Sequence, residues 1–344
     1  MSHYIILDLE WNQNPHRRSG DDEILPFEII EIGAVRLNDR LEIESEFDRL
    51  IRPCVYRKMH KKIYEVTHIS MEELDRKGIR FRDAITQFLD WCGDDPVFCT
   101  WGSMDLTELQ RNMVYHGIEL PFDLPFLYYD LQKIYSLIKG ERTKDSLDTA
   151  VAELHIDTVR PFHHALDDAW YTACVMQRMN FFSRSKYVSV DYYRLPEPKS
   201  EFVLHFPEYD KFVTHPYETR EEALADRKLT QVVCCQCQRA LRKKIRWFSS
   251  NQRFYYCLAV CPEHGYIKGK IRIKKAEDGG VFAVKTTKIT DQSGIDLVIS
   301  KKEDVRRKRS ERAKRLKLHS LDENAAQSAN QSHRSSSRRK IMDR

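Results

Sequence analysis

Near the start of the chain the apolar run Tyr4-Ile5-Ile6-Leu7 passes directly into Asp8-Leu9-Glu10. A run this continuous suits a strand covered on both faces. Alternation along a strand sends the Asp8 and Glu10 side chains to the same face. Two neighbouring carboxylates at the carboxyl end of a central strand repel each other unless a cation separates them. Hard oxygen ligands of this kind suit Mg²⁺ or Mn²⁺. A solvated strand end is the alternative.

The segments that follow extend a sheet. Residues 12–26 read as a polar loop with Pro15, Gly20 and Pro26, and residues 29–35, IIEIGAV, return as a second strand. Residues 41–51 alternate and predict a third, so the three form an antiparallel meander. Apolar groups at helical spacing then predict a helix within 71–92. Val97 to Trp101 form a short strand, and helical patterns cover about 106–116, 130–139, 145–154 and 165–180. Strands first and alternating helices and strands afterwards imply a mixed α/β sheet flanked by helices.

Two further stretches add chemistry. Asp105 closes the short strand after Trp101-Gly-Ser-Met, at the kind of strand end where ligands gather. It is equally placed to cap the next helix. In Arg160-Pro-Phe-His163-His164-Ala-Leu-Asp167-Asp168-Ala, histidine precedes a helix and Asp168 lies in its first turns. An imidazole there can take a proton from water while the aspartate holds a metal. Asp167 suits the charge of a helix amino end.

Together DLE, the aspartate of WGSMDLTEL and HHALDDA resemble the motifs of the DEDDh 3′–5′ exonucleases, the DnaQ-like group of the RNase H-like fold. EIIEIGAV and VTHIS resemble that family's second strand and the connection after its third strand. The resemblance covers about residues 1–182. It implies metal carboxylates at Asp8, Glu10, Asp105 and Asp168, and a general base at His163, five residues before Asp168, with His164 as its neighbour. It also implies a two-metal reaction, in which Asp8 bridges two Mg²⁺ or Mn²⁺ ions roughly 4 Å apart and a nucleoside 5′-monophosphate leaves. Trp11, directly after Glu10, is placed either to stack a terminal base or to pack in the core.

Charge divides the chain. Residues 1–229 hold 29 lysines and arginines against 41 acids, and residues 230–344 hold 28 against 11. A basic third behind an acidic body suits a polyanion-binding appendage. Nine cysteines, an odd number, and no basic n-region at the amino terminus lead us to expect a reducing, cytoplasmic compartment. No stretch has the roughly 20 apolar residues a bilayer span needs.

Five of those cysteines crowd together. Cys234-Cys235-Gln-Cys237 and Cys257-Leu-Ala-Val-Cys261-Pro-Glu-His264-Gly265 have the spacing of a zinc ribbon. The expected ligands of one structural Zn²⁺ are Cys234, Cys237, Cys261 and His264. Cys257 is an alternative to His264, and Cys235 to Cys234. Between and after the knuckles, basic residues including Lys243, Lys244 and Arg246, and the row in KGKIRIKK, interleave with aromatics. That mixture suits phosphates and stacked bases.

The expected architecture is therefore an exonuclease domain over 1–182, a linker over 183–229, a zinc-ribbon-like basic domain over 230–290 and a basic, largely disordered tail over 291–344, with 301–319 as a helix candidate. The expected function is metal-dependent 3′–5′ hydrolysis of single-stranded RNA or DNA, RNA slightly favoured. A catalytically silent nuclease fold that binds nucleic acid or regulates is the rival.

Overall fold

The apolar start of β1 (Tyr4–Asn12) occupies the middle of a six-stranded sheet. In the computed structural model, residues 3–15, 25–141, 143–251, 253–277 and 279–315 are described. They divide into two compact units, Met1–Pro196 and Glu197–Arg344.

In the first unit, β2 (Glu28–Leu37) and β3 (Ile43–Leu50) form the expected meander with β1. Three short helices follow: α1 (Lys61–Thr67), α2 (Met71–Lys77) and α3 (Phe81–Cys92). The helical pattern expected across 71–92 is broken at Gly78-Ile79, because Ile79 bridges to Ile51 at the end of β3. A Cβ on Gly78 would lie 2.7 Å from the Arg52 nitrogen, so only glycine lets the chain pass there.

Next come β4 (Val97–Thr100), α4 (Asp105–Tyr115), β5 (Leu127–Asp130), α5 (Leu131–Lys139), α6 (Leu147–Glu153), α7 (Ala165–Arg178) and β6 (Ser189–Val190). The sheet order is β3-β2-β1-β4-β5-β6, with β4 and β5 parallel to β1 and to each other. The short strands β5 and β6 were not legible as strands in the sequence.

Odd and even positions of β1 feed two cores. Ile5, Leu7 and Leu9 pack with α3 and α4 through Phe88, Leu106 and Leu109. Ile6 packs on the other face with Leu131 of α5 and with Ala169 and Met176 of α7. Full burial of each such side chain contributes about 1.5–3 kcal/mol. Asp8 and Glu10 share the parity of Ile6, and so face α7. The approach of α7 depends on Gly33, paired with Asp8. A Cβ on Gly33 would lie 2.0 Å from the Ala165 carbonyl carbon.

The second unit is a six-stranded, wholly antiparallel sheet of order β7-β8-β12-β11-β10-β9. Its strands are β7 (Phe202–His205), β8 (Tyr209–Val213), β9 (Lys243–Ser249), β10 (Phe254–Cys261), β11 (Gly265–Lys275) and β12 (Val281–Ile289). Two short helices, α8 (Arg220–Ala225) and α9 (Arg227–Thr230), lie between β8 and β9. Thus the stretch 183–229, expected to link, supplies two strands of this sheet. Its prolines had suggested interruption, and they fall between the elements rather than within them.

Helix α10 runs over 292–315 among the described residues, inside the tail expected to be largely disordered. Val298 anchors it against Tyr256 and Leu258. The remainder of the 301–319 helix candidate and everything from about 320 lie outside the described residues. Among the described residues, no helix is long and apolar enough to cross a membrane.

Candidate active site and metal centres

Carboxylate oxygens of Asp8, Glu10 and Asp168 lie within 4.8 Å of one another. The β1 alternation supplies the first two, and the first turn of α7 supplies the third. Asp105 opens α4 at the end of β4, nearly buried. It accepts from the Leu9 backbone N–H, and its charge acts on Asp8, although it is outside the group of three. Of the four acids expected to hold metal, three therefore converge and the fourth stands beside them.

The electrostatics are those of a site built for cations. Burial and then the charge of Asp105 push the Asp8 carboxyl well above its ordinary range. Burial and the opposing Glu31 push Glu10 up to about 8. Burial raises Asp105 to about 7 and Asp168 to about 6. Oδ1 of Asp168 is buried with no hydrogen-bond partner. A buried, unpaired acceptor among repelling acids is what a bound cation relieves, so this donor set fits Mg²⁺ or Mn²⁺.

The loop before α7 is anchored on both sides of the histidines. The Tyr171 hydroxyl accepts from Arg160 N at 2.8 Å and donates to Arg160 O at 2.6 Å. Phe162 stacks on the Tyr171 ring at 4.5 Å. His163 then takes the left-handed conformation, φ 69°, a region histidine enters more readily than most residues. That turn leaves the imidazole exposed, while the His163 N–H donates to Asp168 Oδ2 at 3.2 Å. His164 is differently placed: its Nδ1 lies 3.7 Å from Glu31. The carboxylate of Glu31 holds its pKa above the ordinary histidine value.

Glu31 is the residue that the sequence reading passed over. It lies opposite Glu10, is 4% exposed, and accepts from Ala165 N at 3.0 Å, capping α7. A lone acid inside the otherwise apolar IIEIGAV of residues 29–35 was its signal. Trp11 packs against Phe27, ring centroids 5.3 Å apart, at the margin of the core. The strand irregularity between Glu10 and Trp11 takes it out of simple alternation.

A family model described as exonuclease, of the RNase T type, matches residues 5–176. The chain belongs to the DEDDh 3′–5′ exonucleases. The probable 3′–5′ exonuclease KapD of Bacillus subtilis (strain 168) is 30% identical over 166 residues, which is 48% of this exonuclease and 78% of KapD. Among solved structures, the nuclease domain of 3′hExo, a DEDDh family member bound to rAMP, is 23% identical, with TM-score 0.46. The match covers 55% of this exonuclease and 96% of that chain. The zinc-bound E. coli ExoI–ssDNA complex is 11% identical, with TM-score 0.46 over 75% of this exonuclease and 54% of that chain.

The second unit of the exonuclease gathers Cys234, Cys237, Cys261 and His264. Sγ of Cys237 and Cys261 are 3.7 Å apart, and His264 Nδ1 is 3.6 Å from Cys234 Sγ and 3.5 Å from Cys261 Sγ. Four ligands 2.0–2.3 Å from a tetrahedral ion have separations of this size, so the cluster could bind zinc. One knuckle is the turn in which Cys234 O accepts from Gln238 N at 2.9 Å. The other is the β10–β11 turn, where Gly265 takes φ 74°.

Burial opposes ionisation of Cys261, but backbone N–H groups of Glu263 and His264 outweigh it and bring its thiol down to about 6. Cys257 points instead at Gly269 and Trp247, and burial pushes it up to about 12. Cys235 Sγ lies against Glu208 O. Both alternative ligands are therefore outside the cluster.

The other face of that sheet is basic. Lys268, Lys270, Arg272 and Lys274 alternate along β11 with buried Ile267, Gly269, Ile271 and Ile273. Lys270 Nζ lies 4.8 Å from the Phe254 ring, and Lys244 donates to the Tyr266 hydroxyl at 2.7 Å. Of the three β9 cations singled out from sequence, Lys244 and Arg246 are exposed. Lys243 is half-buried and donates to Thr230 O.

Proposed function

We propose that the exonuclease hydrolyses single-stranded nucleic acid from its 3′ end, releasing nucleoside 5′-monophosphates, with RNA slightly favoured over DNA. The observation that carries the reading is the uncompensated carboxylate group, with Asp8, Glu10 and Asp168 inside 4.8 Å and Asp105 beside them. These four residues would hold two Mg²⁺ or Mn²⁺ ions, which when bound supply charge stabilisation at the phosphate and a more acidic water. His163 accepts the proton of the attacking water through its exposed imidazole. The anchors on Tyr171 fix where that imidazole can reach. Glu31 orients the start of α7, and so places Asp168 without itself touching substrate.

The second unit, with 33 lysines and arginines against 19 acids, holds the strand through its basic face, including Lys244 and Arg246. One structural Zn²⁺ at Cys234, Cys237, Cys261 and His264 keeps that face in shape. Nine free cysteines support placing the protein in a reducing, cytoplasmic compartment. Digestion of 5′-labelled single strands of RNA and DNA tests the reading. Stepwise shortening from the 3′ end is expected in Mg²⁺, and none in EDTA. Undiminished turnover in metal-free buffer would overturn it.

A further inference from the structure

The first unit carries 24 lysines and arginines against 33 acids, yet four of its arginines meet at one cavity of about 410 Å³. Arg52 follows β3, Arg57 lies in the next loop, and Arg80 and Arg82 bracket Phe81 at the start of α3. His116, after α4, completes the wall, its ring stacked on Phe81 with centroids 4.7 Å apart. Arg80 pairs with Asp83 at 2.7 Å, and Arg82 donates to the His116 carbonyl at 2.6 Å. Among the described residues, Arg52 and Arg57 make no ion pair. The nearby buried carboxylate of Glu28 accepts from the N–H groups of Cys54, Val55 and Tyr56, and its one negative charge is outnumbered by the four guanidinium groups.

The cavity is held at the active-site end of the sheet. Asn12 lies two residues beyond Glu10 on β1, about 7 Å along the strand. Its side chain donates to Lys58 O at 2.9 Å and accepts from His60 N at 2.9 Å, and so pins the arginine-bearing loop. Asn112 ties α4 to β2, donating to Phe27 O at 2.9 Å and accepting from Ile29 N at 3.1 Å. The walls are thus fixed before any ligand arrives.

We propose that this cavity is a phosphate-binding site of the exonuclease unit. Guanidinium groups present paired N–H donors that match phosphate oxygens. An acidic body that must accept a polyanion gains most from cations close to the reaction centre. The phosphate comes either from the strand being degraded or from a free phosphate monoester such as the released nucleotide. The strand source rests on the reading of the carboxylate centre as the place of 3′–5′ cleavage.

The test uses the full-length protein in buffer with neither added Mg²⁺ nor chelator, where the zinc is kept and the strand is bound and not cut. A labelled single-stranded decanucleotide is titrated across a range of salt concentrations against wild type and the Arg52→Gln/Arg57→Gln variant. If strand phosphates occupy the cavity, the plot of log K against log salt becomes shallower by about 1.4, two contacts at roughly 0.7 each. Arg52→Lys/Arg57→Lys, which keeps the charges, should hold the wild-type slope. In a second arm, calorimetry with inorganic phosphate and with adenosine 5′-monophosphate reads the free source. Binding by wild type that is lost in the glutamine variant, at equal strand slopes, assigns the site to a monoester. Equal slopes together with unchanged phosphate binding would overturn the proposal. Cleavage in Mg²⁺ is read separately, so a wild type that never cuts would overturn the assigned reaction and leave the cavity result standing.

Discussion

In the exonuclease unit three acids converge from the end of β1 and the first turn of α7, and a fourth, at the start of α4, stands beside them. In the second unit three thiols and one imidazole come from two tight turns, Cys234–Cys237 and Cys261–His264. The first cluster is a burden on its fold. Two hydrophobic cores around β1 hold Asp8 and Glu10 where burial and like charge oppose their ionisation. The second cluster sits beside a small core of Val232, Ala259 and Ile267, so a bound metal there would contribute to folding itself. Metal removal should therefore silence one unit and loosen the other.

The largest effect breaks or supports the first half of that contrast. Asp8→Ala, Glu10→Ala, Asp105→Ala and Asp168→Ala should each bring cleavage of a labelled strand to background. In EDTA, Asp8→Asn should melt no lower than wild type, because it removes a repelling buried charge. A large drop in Tm would show that the acids support the fold rather than burden it. Next, His163→Ala should lower kcat by roughly 10²-fold, the scale of a lost general base, with strand affinity kept. His164→Ala should cost much less, since its ring is engaged with Glu31. The reverse ranking would transfer the proton-accepting role to His164.

Smaller effects on turnover are expected from the second cluster. Protein prepared without chelator should contain about one zinc per chain. Cys234→Ser should lose the zinc and the thermal transition of the second unit, while short strands are still cut within a few-fold of wild type. Cleavage lost together with zinc would make the two units interdependent.

The smallest effect is a pH dependence of the metal-free protein. Glu10, Asp105 and Asp168 have folded-state pKa values of about 8, 7 and 6, above those of free carboxyls. Between about pH 4 and 8 the folded state therefore binds more protons than the unfolded one, and stability falls as pH rises. In EDTA, Tm should be higher at pH 6 than at pH 8. Mg²⁺ should narrow the gap. A Tm that rises with pH in EDTA would contradict the crowding of acids.

Legibility followed the range of the interactions. The meander and α7 were readable because each carries its own apolar period. β5 and β6, at four and two residues, were not, because strands so short are defined by their neighbours. β7 and β8 were hidden in a proline-punctuated stretch for the same reason: β8 exists through pairing with β12, about 70 residues later, and β7 through pairing with β8.

The sequence by itself determined what depends on residue type and near spacing. Alternation places Asp8 and Glu10 on one face, five residues separate His163 from Asp168, and paired knuckles offer Cys234, Cys237, Cys261 and His264 together. Tertiary structure alone decided what depends on close approach between distant segments. Gly33 lets α7 descend onto β2 and bring Asp168 to Asp8. Glu31 caps that helix from beneath. Cys257 is turned towards Gly269 and lies outside the Cys234, Cys237, Cys261 and His264 cluster. Arg52, Arg57, Arg80 and Arg82, scattered along the chain, line one cavity because Ile79 bridges to Ile51 and because the side chains of Asn12 and Glu28 hold the intervening loop. No local pattern encodes such contacts, since each is set by which surfaces remain after the two cores have packed.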